Sequence, residues 1–186
     1  MPSSGGNLDE ALPQGDDQGV PTWSSDGSSV FFGEIVPVAG LEHAAIRQLD
    51  LQTRTVATIG APIGMWSPRM SPDGKHLAAV SHDNKSLYVR DNARRVWRRC
   101  ASMDFVAEPI WPAESSWIQF IGGPAPRKLY RVSPSCEPPR EVADLALFET
   151  VGDAWTGIAP DHSPLALLDV PAEIYALDWK LRRWVP

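Results

Sequence analysis

Four apolar runs recur along the chain, at Val30 to Gly33, Leu77 to Val80, Trp117 to Ile121 and Leu165 to Leu168. Each follows a polar reversal carrying an acid, Asp26, Asp73, Glu114 or Asp161, and these acids are separated by 47, 41 and 47 residues. The runs are nearly continuous rather than alternating, the pattern of strands covered on both faces. A second signature follows in each unit: Ile46 to Asp50, Leu87 to Asp91, Leu129 to Ser133 and Ile174 to Asp178. It reads as a third strand with an apolar first position, usually Tyr next, and a terminal Asp or Ser placed to cap the following turn.

The reversals themselves are copies of one motif. Pro21-Thr22-Trp23-Ser24-Ser25-Asp26-Gly27 returns as Pro68-Arg69-Met70-Ser71-Pro72-Asp73-Gly74, with Met70 in place of Trp. It returns again as Pro109-Ile110-Trp111-Pro112-Ala113-Glu114-Ser115, without Asp-Gly, and most weakly as Ile158-Ala159-Pro160-Asp161-His162. An extended residue pair, an Asp-Gly turn and an apolar run form a β-hairpin signal. Asp26, Gly27, Asp73, Gly74 and Asp161 are therefore turn chemistry, and Trp23 and Trp111, which share one repeat position, are expected in the core between units.

A period in the mid-forties predicts an all-β chain, a β-propeller of about four blades with four antiparallel strands each. The expected segments of this single domain are 15–61, 62–103, 104–148 and 149–186. Outer strands are expected at Thr53 to Ile59, Arg94 to Cys100 and Arg140 to Ala143. The last blade is expected to hold three strands, with Lys180 to Pro186 left over. Gly5-Gly6 and Leu8 to Leu12, in segment 1–14, read as the outer strand of an incomplete blade, able to close a small ring. An open arc would instead expose apolar blade faces and favour self-association.

Composition narrows the function classes. The 186 residues are 43% hydrophobic and 22% charged, enough for a core, and 18 Pro and 14 Gly are spread as turn punctuation. A net charge of −6 opposes nucleic-acid binding. The basic run Arg94-Arg95-Val96-Trp97-Arg98-Arg99 is the local exception and reads as a solvated strand whose arginines discourage edge pairing. Cys100 and Cys136 read as two buried thiols, with a disulfide as the alternative that the sequence leaves open. The N-terminus lacks the pattern of a signal peptide and no run reaches membrane-spanning length, so the expected compartment is the cytoplasm, or the periplasm if the chain belongs to an exported protein.

Candidate chemistry is sparse. His43, His76, His82 and His162 show no ligand spacing, Gly122-Gly123-Pro124 lacks the Lys of a phosphate loop, and no Gly-x-Ser-x-Gly occurs. No catalytic residue, metal or cofactor is expected. Trp66, Trp97 and Trp184 lie outside the register of the motif tryptophans and are the candidates for exposed contacts. The loops Glu34 to His43, His82 to Lys85 and Asp104 to Glu108 form the candidate rim, giving Trp66, His82, Asp83, Lys85, Glu34 and Glu108 as the candidate partner-binding residues.

The Pro-x-Trp-Ser-x-Asp-Gly motif and the Ile/Leu-Tyr-x-x-Asp strand resemble the repeats of TolB-type, WD-repeat-like β-propellers, over roughly Gly19 to Trp179. The ending Ile174 to Trp179 looks like that of bacterial propellers fused behind winged-helix or serine/threonine-kinase domains. Members of that family usually have about six blades or more, so the resemblance implies either a part of a larger propeller or a small closed ring. Repeated blades supply a rigid scaffold and the sequence varies in their connections, so the expected function is a non-catalytic scaffold for a protein or peptide partner. The alternative is the gating propeller of a prolyl-oligopeptidase-like serine peptidase.

Overall fold

The computed structural model describes residues 19–38, 41–60, 62, 64–149, 154–168 and 174–186. They form four antiparallel sheets of four strands, each in sequential order. The first comprises β1 (Thr22–Trp23), β2 (Ser29–Val38), β3 (Leu41–Asp50) and β4 (Val56–Thr58). The second comprises β5 (Met65–Met70), β6 (His76–Ser81), β7 (Ser86–Asp91) and β8 (Val96–Ser102). The third comprises β9 (Val106–Ile110), β10 (Ile118–Gly122), β11 (Lys128–Val132) and β12 (Arg140–Asp144). After the short helix α1 (Ala146–Glu149) comes the fourth, β13 (Ala154–Ile158), β14 (Pro164–Leu168), β15 (Ile174–Asp178) and β16 (Arg183–Val185).

This is a β-propeller architecture, and its core lies in the seams between sheets. Phe31 and Ile46 of the first sheet meet Met65, Leu77 and Ala79 of the second. Ala78, Val80, Leu87 and Val89, from the second sheet, meet Val106, Trp111, Ile118 and Phe120 of the third. Ile121, Leu129 and Ala143 then meet Ala166 and Leu177 of the fourth, with Leu145 and Phe148 closing the end. In β6, consecutive residues serve opposite seams, since a strand sends successive side chains to opposite faces. That is why the apolar runs do not alternate. Substantial packing joins each sheet to the next in sequence, and none joins the fourth to the first among the described residues.

Three expectations need correction. The last sheet has a fourth strand, β16: Asp178 Oδ1 accepts from the main-chain N–H of Lys180 and of Leu181, turning the chain back so that Asp178, Leu177 and Ala176 pair with Arg183, Trp184 and Val185. The expected irregular loop Glu34 to His43 is a long hairpin, with Glu34 opposite Ala45 and Val36 opposite His43 in one ladder. Cys100 and Cys136 are joined as a disulfide across 36 residues. Cys100 sits on the outer strand β8 and Cys136 in the connection after β11. Stacking of the second and third sheets brings their Cα atoms to 4.4 Å, a proximity that sequence spacing does not reveal. The segment 1–14, with the closing strand expected at Leu8 to Leu12, lies outside the described residues.

Candidate functional site

The motif turns are one hydrogen-bonded device used repeatedly. Asp26 Oδ1 accepts from the Ser24 hydroxyl at 2.6 Å, the Ser28 hydroxyl at 2.8 Å and the Ser28 amide at 3.0 Å. Ser24 Oγ in turn accepts from the Ser29 amide at 2.9 Å. Ser71 and Asp73 repeat the arrangement, and so do Ser81 and Asp83 in the β6–β7 hairpin. Stabilised by the Ser24 hydroxyl first and Ser28 second, the Asp26 carboxyl is held down at about 2. Asp83 moves the same way, chiefly through the Ser81 hydroxyl. At Asp73 burial pushes the carboxyl up, and the bonds from Ser71 and Lys75 outweigh it. Gly27 and Gly74 take the left-handed turn position at φ 72° and 71°, and Ser115 and His162 occupy the same place at 58° and 68° in the copies without Gly. These carboxylates are consumed by turns.

The tryptophans bind the seams. Trp111 Nε1 donates to the Arg69 carbonyl in the preceding sheet at 2.9 Å, and the ring is stacked near His76. Trp97 donates to the Gly60 carbonyl and Trp184 to the Asp144 carbonyl, both at 2.8 Å, each again reaching back toward the preceding sheet. Trp97 and Trp184 are therefore clamps rather than free contacts. A signal for this is present in the sequence: each stands six residues after the acid ending its third strand, Asp91 or Asp178. Trp23 has the same repeat position as Trp111 but is 62% exposed against 9%. The expectation of a core Trp23 fails because core status here is conferred by a preceding sheet, and among the described residues none precedes the first. The pairing of Trp23 with Val30 and of Thr22 with Phe31 directs Trp23 to the face away from the second sheet. Thr22, on the other face, accepts from the Met70 amide of the second sheet at 3.2 Å.

The candidate rim residues do not form a single site. Trp66 is half-buried, its ring so close to Gly19 and Gly33 that a Cβ on either would lie 2.2 or 2.8 Å from ring carbons. It is an inter-blade wedge, and His82 lies beside it with ring centroids 6.0 Å apart. Asp83 is committed to its turn, whereas His82 and Lys85 remain exposed. Glu34 is ion-paired with Arg47 at 3.0 Å. Glu108 belongs to the inner strand β9 and not to a loop. It sits at φ 51° immediately before Pro109, as Ser67 does before Pro68, and both sit at irregularities in their ladders. Its carboxylate accepts from the Thr156 amide of the fourth sheet at 3.4 Å, and its charge favours the ionised form of the neighbouring Arg69, whose burial works against it.

Arg131 is a further seam residue that the sequence reading missed. Its guanidinium lies 3.8 Å from the Trp117 ring centroid and 5.7 Å from that of Trp179, and donates to the His162 carbonyl at 2.7 Å. His162 in turn meets Glu114 at 3.0 Å. Between the blades lie clefts of about 680 Å³ (first and second sheets), 450 Å³ (second and third) and 250 Å³ (third and fourth). Among the described residues no group of His, Cys, Asp and Glu is arranged to hold a metal, and no helix is long and apolar enough to cross a membrane.

Seam-packed four-stranded sheets, each beginning with its inner strand, define a TolB-like β-propeller fold. Solved structures similar to it include TolB from Acinetobacter baumannii, at 16% identity and a TM-score of 0.64 over 90% of this chain and 45% of that one. The β-propeller domain of the Trilobed protease from Pyrococcus furiosus matches at 14% identity and a TM-score of 0.64, covering 87% of this chain and 54% of that one. An oligogalacturonate lyase in complex with manganese matches at 15% and 0.68, covering 94% and 54%. The chain thus spans about half the length of these structures. No protein-family model matches it, and no curated protein matches it significantly.

Proposed function

We propose that this chain is a non-catalytic propeller scaffold that binds a protein or peptide partner, as part of a larger bacterial signalling or transcription-regulating protein. The observation that carries this reading is the contrast between the two motif tryptophans. Trp111, Trp97 and Trp184 each spend the indole N–H on the preceding sheet, whereas Trp23 is 62% exposed. An exposed Trp is a strong anchor for another polypeptide, combining a large apolar face with a donor. The Cys100–Cys136 bond further supports placing the chain in an oxidising compartment such as the periplasm.

The test uses the immobilised chain beside its Trp23→Asp variant. A polypeptide retained by the first and lost by the second is the expected result. Equal retention by both would remove Trp23 as the anchor. A second reading, the gating propeller of a serine peptidase, is supported by the similarity to the Trilobed protease propeller. It requires a hydrolase domain with a Gly-x-Ser-x-Gly nucleophile turn encoded with this segment, which the adjoining reading frame would reveal.

A further inference from the structure

The cleft between the first and second sheets holds two arginines outside any ion pair among the described residues. Arg90, on β7, and Arg95, in the β7–β8 turn, both line it. Their neighbour Arg94 is neutralised by Asp91 at 2.6 Å, but among the described residues no carboxylate pairs with either Arg90 or Arg95. Arg90 donates one Nη1–H to the neutral side chain of Asn92 at 2.8 Å, while its Nε is buried with no hydrogen-bond acceptor among the described residues. Burial, and then the nearby Arg95 charge, act against its ionised form, and the Asp91 charge offsets them only in part. A solvated arginine needs no partner, but a shielded N–H without one carries a desolvation cost that an incoming acceptor would remove.

The rest of the lining suits an organic anion. Phe31, Ile59 and Met70 give an apolar floor, and Ser25 and Gln48 add neutral hydrogen-bonding groups. Among the described residues Asp26 is the one carboxylate on the wall; it stays ionised, its Oδ1 accepts the Ser24 and Ser28 bonds, and the two arginines outnumber it. We propose that this inter-blade cleft is an oxyanion-binding site, in which Arg90 and Arg95 hold the carboxylate or phosphate group of a small organic ligand. Arginine is the residue suited to this, because its planar fork matches either group with paired N–H donors. The site is independent of the Trp23 face, which lies on the other side of the first sheet.

The experiment titrates the ¹⁵N-labelled full chain with inorganic phosphate and, separately, with glutarate, at constant ionic strength maintained with chloride. Arginine Nε–H and tryptophan indole N–H resonances are followed. The Trp97 indole reports on the cleft because it donates to Gly60, which also lines it. Saturable shifts centred on the Arg90 Nε–H are expected, with apparent affinity falling roughly tenfold in Arg95→Gln, the loss of a charge-assisted contact. Arg140→Gln, an exposed charge on β12, serves as the control for net charge and should leave the affinity unchanged. Saturation with phosphate alone assigns a phosphate ligand, with glutarate alone a carboxylate, and with both the shared chemistry. Linear shifts with both anions, or equal weakening by the two variants in chains that retain the folded spectrum, would overturn the proposal.

Discussion

Replacing Trp111 or Trp23 by Ala removes the same side chain from the same repeat position in two different environments. Trp111 is 9% exposed and Trp23 62%, a difference in hidden surface of roughly half a Trp side chain. For a side chain burying up to ~250 Å², that is ~100–130 Å², or ~3 kcal/mol at ~25 cal/mol/Å². Trp111→Ala also leaves the Arg69 carbonyl without its indole donor. The expected loss is therefore about 3–5 kcal/mol, in the range of buried Trp truncations, against about 1 kcal/mol or less for Trp23→Ala. In a domain of this size each kcal/mol moves Tm by about 2–4 °C. Trp111→Ala should thus melt about 6–20 °C lower and Trp23→Ala within a few degrees of the parent. Trp111→Phe keeps most of the ring but deletes the donor, and should fall between them, about 1–3 kcal/mol down. Urea titration of the isolated chain with tryptophan fluorescence or circular dichroism gives the three values. Equal losses for Trp111→Ala and Trp23→Ala, with unchanged m-values, would refute the assignment of core status to the preceding sheet.

The remaining expectations concern other parts of the scaffold. Gly33→Ala places a methyl 2.8 Å from the Trp66 ring and should cost about 1–3 kcal/mol. In a double-mutant cycle with Trp66→Leu that cost should shrink, and full additivity would contradict the wedge. Reducing the Cys100–Cys136 bond opens a loop closed across 36 residues and should lower stability by about 3–4 kcal/mol on the chain-entropy account, seen as a lower urea midpoint with reductant and none in Cys100→Ser. Acid unfolding should carry the signature of the turn carboxylates. Because Asp26 titrates at about 2 when folded against an ordinary 3.8, the unfolded chain binds more protons between those values. Its contribution is complete above the ordinary value and is lost as pH falls toward 2. Asp26→Asn should flatten the dependence of the urea midpoint on pH in that window, and an unchanged slope would show that the Ser24 and Ser28 bonds do not persist in solution.

The repeat was legible because each blade must solve the same local problem. The apolar runs, the Ser-x-Asp-Gly turns and the third-strand signature are set by strand pairing and hairpin reversal, interactions within about forty residues of chain, so the sequence by itself determined the architecture and its four sheets. The Ser hydroxyls that complete the Asp turns and the six-residue spacing of Trp97 and Trp184 from their preceding acids were also present in the sequence. Their meaning depends on atoms brought together by folding. Only the tertiary structure decided which faces are covered. It made Trp111 core and left Trp23 exposed, turned Trp66 into a wedge over Gly33, joined Cys100 to Cys136 across a seam, and moved Glu108 from an expected loop to a bulged inner strand. Each of these depends on the stacking of one sheet against the next, a long-range packing relation that no local pattern encodes. The same stacking places Arg90 and Arg95 along one inter-blade cleft, with no ion pair to either among the described residues.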